Sequence, residues 1–422
     1  MNEKMNVNLT SEFGELEAVI VHTPGLEVEE MTPETAKRAL YSDILNLSVA
    51  REEYAQLKGV LAMKSKCLEV TDLLADILGN ANIRSILLAD ILALENAAEL
   101  LQDLVAPDAR ELARQLIQGV PIKRNNLTRY LSQERFSLWP LHNFLFTRDS
   151  SMACGEEVII GKMANPVRAR EALIMEAIFA YHPLLQSATI NFRKPDHSSA
   201  DPMTIEGGDF LMAREDVLII GTGIRTSTQG IDFILEKVKS GRGKIKHVLV
   251  QELPASPESF IHLDMVFTLL DRDACMVYEP LILRTSRYHT IHIRLENGEV
   301  SGIREEENLL SALGKLGMDL KPLYCGGRKD LWIQEREQWH SGANFFAVAP
   351  GQVIGYERNV HTIEELYQNG FEVIRASDLL NGTAEIPGGK KCVITIAGSE
   401  LARGGGGARC MTMPFKRKNI QW

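Results

Sequence analysis

The chain has 422 residues, 45% hydrophobic and 24% charged, with 46 Lys and Arg against 56 Asp and Glu. These fractions exclude wholesale disorder, and the length allows a large core without disulfide or metal staples. The net charge of −10 argues against a general nucleic-acid binder or an anionic-membrane binder, both of which need a basic face. It leaves room for a small cationic substrate in an acidic pocket.

Met1 to Leu16 is polar and lacks the apolar stretch of a secretory signal. No apolar run approaches the ~20 residues of a membrane span. Cys67, Cys154, Cys275, Cys325, Cys392 and Cys410 are far apart and form no CxxC pair. Neither a zinc site nor a disulfide framework is expected from them. Six thiols without a signal point to a reducing compartment, most simply the cytoplasm.

Leu16 to Val21 reads as a strand, ended by Thr23-Pro24-Gly25. From residue 52 to 135 the texture becomes rich in Leu, Ala and Glu. Leu73, Leu74, Ile77 and Leu78 keep helical spacing, as do Leu94, Ala97, Leu101 and Leu104. Gly79-Asn80, Pro107-Asp108 and Gly119 mark helix ends. The expectation over 52–135 is several short helices packed as a bundle.

Beyond Pro140 strands alternate with single helices. Phe144 to Thr147, Val158 to Ile160, Phe210 to Met212, Val217 to Ile220, Met265 to Leu270, Ala274 to Tyr278, Phe345 to Val348, Val353 to Tyr356 and Cys392 to Ile396 read as strands. Arg168 to Ala180, Gln229 to Lys239 and Thr362 to Asn369 read as helices. A weak repeat runs through these blocks. Asp149 leads to Ile160-Gly161 and Arg168, Asp209 to Ile220-Gly221 and Arg225, and Asn344 to Ile354-Gly355 and Arg358. A cyclic array of such units would bring strand ends to one axis, where distant residues can share a pocket.

Chemistry concentrates in a few stretches. Arg403 to Cys410 runs through four successive glycines before the thiol. Glycines give up side-chain packing and suit close backbone approach to a ligand. A cysteine there, beside Arg409, is placed where positive charge and backbone N–H groups favour a thiolate. The bland alternative is a loose tail, but Met411 to Phe415 returns to apolar character. A phosphate loop is disfavoured, because GxxxxGK[ST] is missing. His262-Leu263-Asp264 is a candidate acid/base unit whose alternate residues face one way if extended. Glu206-Gly207-Gly208-Asp209 aims two acids from a tight backbone, and Phe146-Thr147-Arg148-Asp149 ends on an acid. Singly, a structural pair, a surface turn and a surface salt bridge explain the last three better. Together they offer a thiol, an imidazole, carboxylates and arginines, a charge layout that suits a ligand carrying both a guanidinium and a carboxylate.

With these motifs in this order the sequence resembles the arginine deiminase family of guanidine-modifying enzymes. Glu335 to Trp339, Gly342-Ala343-Asn344 and Tyr356 to Asn359 extend the match. The resemblance implies a catalytic pseudo-fivefold α/β propeller of ββαβ-type repeats formed by 1–51 and 136–422, with an inserted helical bundle over 52–135. It implies hydrolysis of L-arginine to citrulline and ammonia through a covalent thiouronium on Cys410, with no metal or organic cofactor. By position, His262 would be the general acid/base, Glu206 its orienter, and Asp149 and Asp264 the guanidinium clamp. Asn143, Arg168 and Arg225 would hold the substrate carboxylate, Phe146 would pack on the stem, and Asp209 would belong to the same pocket. Many members carry arginine five residues before the cysteine. Here that position is Gly405, with Arg403 two residues earlier counted in the substrate-binding set. The family implies a homo-oligomer. The rival readings are an amidinotransferase, in which an amine replaces water, another guanidine-modifying hydrolase, and a non-catalytic arginine-binding protein on the same scaffold.

Overall fold

The computed structural model describes residues 4–36, 38, 40–41, 43–192, 203–240 and 244–422. Five sheets repeat one pairing order. Ser151–Cys154 pairs antiparallel with Glu157–Ile160, which pairs parallel with Thr189–Ile190. Phe210–Arg214, Val217–Thr222 and His247–Glu252 follow the same rule. So do Phe267–Asp271, Ala274–Val277 and Lys321–Tyr324, and Phe346–Ala349, Gln352–Tyr356 and Cys392–Ile396. The fifth set joins the two ends of the chain. Met413–Arg417 lies antiparallel to Leu16–Val21, which lies parallel to Lys66–Glu69.

A parallel neighbour needs a crossover of a dozen or more residues, normally a helix. Helices Ala169–Tyr181, Thr228–Ser240, Val360–Gln368 and Leu47–Lys64 serve four of the five. In the remaining crossover the helix Leu309–Lys315 is preceded by a long hairpin, Thr290–Glu296 with Glu299–Glu306. That hairpin pairs onto His247–Glu252 and widens its sheet to five strands. Middle strands are covered on both faces, so every residue of Val217–Thr222 is buried. Such a strand reads as an unbroken apolar run, as the sequence does there.

The boundary expected at residue 52 falls inside Leu47–Lys64. The Asn46 side chain caps this helix, accepting from the Ser48 and Val49 N–H groups. Its Ala50, Tyr54, Leu57 and Leu61 share a core with Ile394 and Ile396, and the strand after it joins the first sheet. Helices Val70–Leu78, Ala81–Glu95, Leu101–Val105 and Ala109–Gln118 follow, each closed by a short turn. Their apolar faces meet the helix Ala169–Tyr181 in another core. No single helix among the described residues is long and apolar enough to cross a membrane.

Two expected strands are corrected. Phe144 to Thr147 is a run of turns, and the strand begins only at Ser151. Leu263–Met265 is a 3-10 turn that delays its strand to Phe267. In both, apolar residues are buried because the turn plugs the interior, so burial alone does not mark a strand.

These turns are hydrogen-bonded in a closed circuit. Gly207 N–H donates to Asp149 O (3.1 Å), and Leu263 N–H to Asp209 Oδ1 (2.8 Å). Asn344 Nδ2 donates to Asp264 O (3.0 Å). Arg409 and Cys410 N–H donate to Asn344 Oδ1 (2.9 and 3.2 Å). Arg148 N–H returns the circuit to Cys410 O (3.1 Å). Each sheet thus contributes one turn to the circuit, and these turns carry Asp149, Asp209, Asp264, Asn344 and Cys410 in chain order.

Candidate active site

Glu206 ends an extended segment just before the 3-10 turn Gly207–Asp209. A Cβ on Gly208 would stand 2.6 Å from the His262 ring, so the glycine lets the imidazole lie against the backbone. His262 Nε2 sits 2.9 Å from Glu206 Oε2, and Nδ1 lies 3.8 Å from Asp149 Oδ1. Burial would lower the His262 pKa, but Asp149, the Glu206 hydrogen bond and Asp209 together raise it from 6.5 to about 9. Burial raises Glu206, yet the His262 bond, with Arg225 and Arg168 nearby, holds its carboxyl down at about 2. The pair is therefore an imidazolium–carboxylate at neutral pH. Glu206 Oε1 accepts from Ala164 N–H, which fixes the carboxylate from behind.

Cys410 sits in the turn before Met413–Arg417 and is 4% exposed. Its Sγ accepts from Asn344 Nδ2 at 3.2 Å and lies 3.7 Å from Asp264 Oδ2. Burial, Asp264 and Asp149 push the thiol well above its ordinary pKa. Arg409 was expected to favour the thiolate. Its guanidinium instead turns away to Glu12 Oε2 (2.9 Å), Asp264 Oδ2 (2.8 Å) and Phe210 O. Burial and the adjacent carboxylates prevail over Arg409 and hold the sulfur in its thiol form. Burial likewise raises Asp264 above its usual range against the pull of Arg409.

Asp149 Oδ2 accepts from Arg168 Nη1 at 2.7 Å. Asp149 Oδ1 is buried and has no hydrogen-bond partner among the described residues. Such an oxygen is an acceptor waiting for a donor. Arg168, expected to hold a substrate carboxylate, is already committed. Glu171 takes its Nε and Nη2, and the carbonyls of Asn143 and Phe146 take the rest of Nη2. Burial lifts Glu171 to about 7, partly offset by that arginine. Arg225 keeps a looser 3.7 Å contact with Glu206 Oε1.

Asn143, Phe146, Asp149, Arg168, Arg225, His262 and Cys410 all line one cleft of about 760 Å³, counting space open to solvent. Leu40, Ile261, Trp339 and the glycines 404–406 add apolar lining to it. Asp264 reaches the cleft through the sulfur. Of the expected residues, Glu206, Asp264, Asp209 and Arg403 do not line it, Glu206 being fully buried against His262. Asp209 is fully buried behind His262, with Oδ1 on Leu263 N–H and burial raising its pKa to about 7. Arg403 points outward to Asp43 and Glu400, its side chain 40% exposed. A 3-10 turn, Leu401–Gly404, carries it away from the pocket.

Asn344, Glu171 and Trp339 were missed as site residues. For Asn344 a signal existed, because it fills the polar slot of the weak repeat. Glu171 sits one helical turn after Arg168, an i,i+3 pair that sequence spacing allows but does not single out. Among the described residues, polar atoms of Asp149, Glu206 and His262 come within 4.8 Å of one another, the spacing of a metal site. Arg168 already supplies positive charge there, which disfavours a divalent ion.

The fold is mixed α/β and is shared with several solved structures. One is the amidinotransferase SxtG from Microseira wollei, at 14% identity with 98% of each chain covered and a TM-score of 0.52. Another is the N-terminal domain of ArgZ, an arginine dihydrolase from Cyanobacteria, at 14% identity, 96% and 98% coverage and a TM-score of 0.53. A dimethylarginine dimethylaminohydrolase matches at 14%, 95% and 100%, with a TM-score of 0.51. The fold is thus that of the amidinotransferase and dimethylaminohydrolase class. Within it, the family model for arginine deiminase matches residues 37–417. The arginine deiminase of Listeria monocytogenes serotype 4a is 32% identical over the whole of both chains. That of Bacillus cereus is 34% identical, covering 99% of this chain and 100% of its own. The chain belongs to the arginine deiminase family.

Proposed function

We propose that the protein hydrolyses L-arginine to L-citrulline and ammonia through a covalent intermediate on Cys410. The observation that carries this is Asp149 Oδ1, a buried acceptor without a hydrogen-bond partner among the described residues, in a cleft that also holds the thiol and an imidazolium. A guanidinium supplies donors for that oxygen and for Asp264, and its charge offsets the carboxylates that oppose the thiolate. The thiol proton then leaves to solvent and the sulfur attacks the guanidinium carbon. His262 gives its proton to the departing nitrogen, and ammonia leaves an S-alkylthiouronium. Neutral His262 next takes a proton from water as the hydroxide adds. As the thiolate is expelled the hydroxyl proton of the adduct passes to solvent, which leaves citrulline, and the sulfur regains the proton it gave up at the start while His262 is again imidazolium.

Arg225 and Asn143 remain the best-placed groups for the substrate carboxylate, with Arg168 acting by orienting Asp149. The five sheets and their circuit of turns support a pseudo-fivefold propeller whose axis passes by the cleft. The helical segment after Glu69 is an insertion that walls the unit without supplying chemistry. Six free cysteines suit a reducing compartment such as the cytoplasm. Purified protein should release citrulline and ammonia from L-arginine, and Cys410→Ala should abolish release. Undiminished release by that variant rejects the nucleophile. Glycine or ornithine supplied as acceptor separates transfer from hydrolysis.

A further inference from the structure

The turn circuit gives each sheet one polar residue near the axis, and four of the five now have a place. Asp149 lines the cleft, Asp264 lies against the Cys410 sulfur, Cys410 attacks, and Asp209 braces the backbone under His262. The fourth position is Asn344, 1% exposed, between the nucleophile and its carboxylate neighbour. Its Oδ1 accepts the backbone N–H groups of Arg409 and Cys410. Those two bonds fix which end of the amide faces the loop. The NH₂ end is thereby turned toward Cys410 Sγ at 3.2 Å, while also donating to Asp264 O at 3.0 Å. A Cβ at Gly407 would stand 2.6 Å from Asn344 Oδ1, so the last glycine of the loop makes room for this grip.

We propose that Asn344 is a positioning residue for the nucleophile: its Oδ1 holds the Cys410 turn and its Nδ2 donates a hydrogen bond that stabilises the thiolate. The inference rests on Cys410 being the nucleophile of the proposed reaction. The need for such a donor is evident from the surroundings. Asp264, Asp149 and burial all oppose sulfur ionisation, and Arg409, the nearest guanidinium in sequence, is spent on Glu12 and Asp264. A hydrogen bond to an ionised group outweighs a neutral one, so the amide counts most after the proton has left. Its NH₂ also bridges the sulfur and the Asp264 carbonyl, which keeps nucleophile and carboxylate in register during attack.

The test separates the two ends of the amide. Asn344→Asp keeps an acceptor for both backbone N–H groups but replaces the donor with a carboxylate. Because the new carboxylate would itself oppose ionisation, as Asp149 and Asp264 do, Asn344→Ala, which removes the donor without adding charge, must show the shift as well. Alkylation of Cys410 by iodoacetamide, followed on its peptide by mass spectrometry across pH, reports thiolate formation without turnover. The expected result is a midpoint moved upward by about one pH unit and alkylation at pH 7 slowed about tenfold. The kcat for arginine should fall at least as much while KM changes little. A midpoint and rate matching the parent in a folded variant overturn the proposal. Because alkylation is read directly, that outcome leaves the proposed reaction standing if Cys410→Ala is inactive. Activity retained in Cys410→Ala would instead remove the reaction on which the role depends.

Discussion

Glu206→Gln removes one charge from the pair that keeps His262 protonated. The rise of the His262 pKa from 6.5 to about 9 corresponds to about 3 kcal/mol at ~1.4 kcal/mol per pH unit. Asp149 is the larger electrostatic contributor, and the Glu206 bond at 2.9 Å follows. A hydrogen bond to a charged group contributes about 1.5–3 kcal/mol, and the lower end applies where Asp149 contributes more. His262 in the variant should then titrate about one unit lower. At pH 8.5 its protonated fraction would fall from about three quarters to about one quarter. The reaction needs that proton for the leaving ammonia, so the alkaline limb of kcat/KM should move down by about one unit. Citrulline formation across pH, with a histidine NMR titration, measures both quantities. Folding raises this pKa, so the interaction stabilises fully below about pH 6.5 and is lost as pH climbs through about 9. Destabilisation of the variant should therefore be larger at pH 6 than at pH 9.5. An alkaline limb that stays in place, or a His262 titration identical to the parent, refutes the reasoning.

Three other changes probe the support around the site. Glu53 accepts from Ser399 N and Oγ, Glu400 N and Leu401 N, tying the long helix to the start of the glycine loop. Glu53→Ala strands these donors and should cost about 3 kcal/mol in denaturant unfolding. Arg409→Met leaves Glu12 and Asp264 buried and unpaired, at about 3–5 kcal/mol near pH 7. Folding lowers the Glu12 pKa, so that contribution is present above about pH 4.5 and fades in acid, and the melting-temperature gap should narrow at pH 4. Arg403→Ala removes only an exposed pair with Asp43 and Glu400. KM for arginine should change less than about threefold, since exposed ion pairs contribute at most about 1 kcal/mol. A much larger rise in KM would return Arg403 to the substrate-binding set.

The sequence by itself determined the alternation of strands and helices, the α-rich segment and the motifs holding Cys410, His262, Glu206, Asp149 and Asp264. Hydrophobic periodicity and glycine punctuation are local signals, and they survive without coordinates. The weak repeat was legible for the same reason, as three blocks with a polar residue, a Gly-ended strand and a basic residue. Only the tertiary structure decided which charges meet. Arg409 adjoins the thiol in sequence yet pairs with Glu12, almost four hundred residues away. Arg168 is occupied by Glu171 and Asp149, and Arg403 faces solvent. Asn344, an ordinary asparagine in the chain, becomes the donor to the nucleophile. Electrostatic pairing depends on distance and burial after the five turns have converged, and neither quantity is encoded in the neighbours of a residue along the chain.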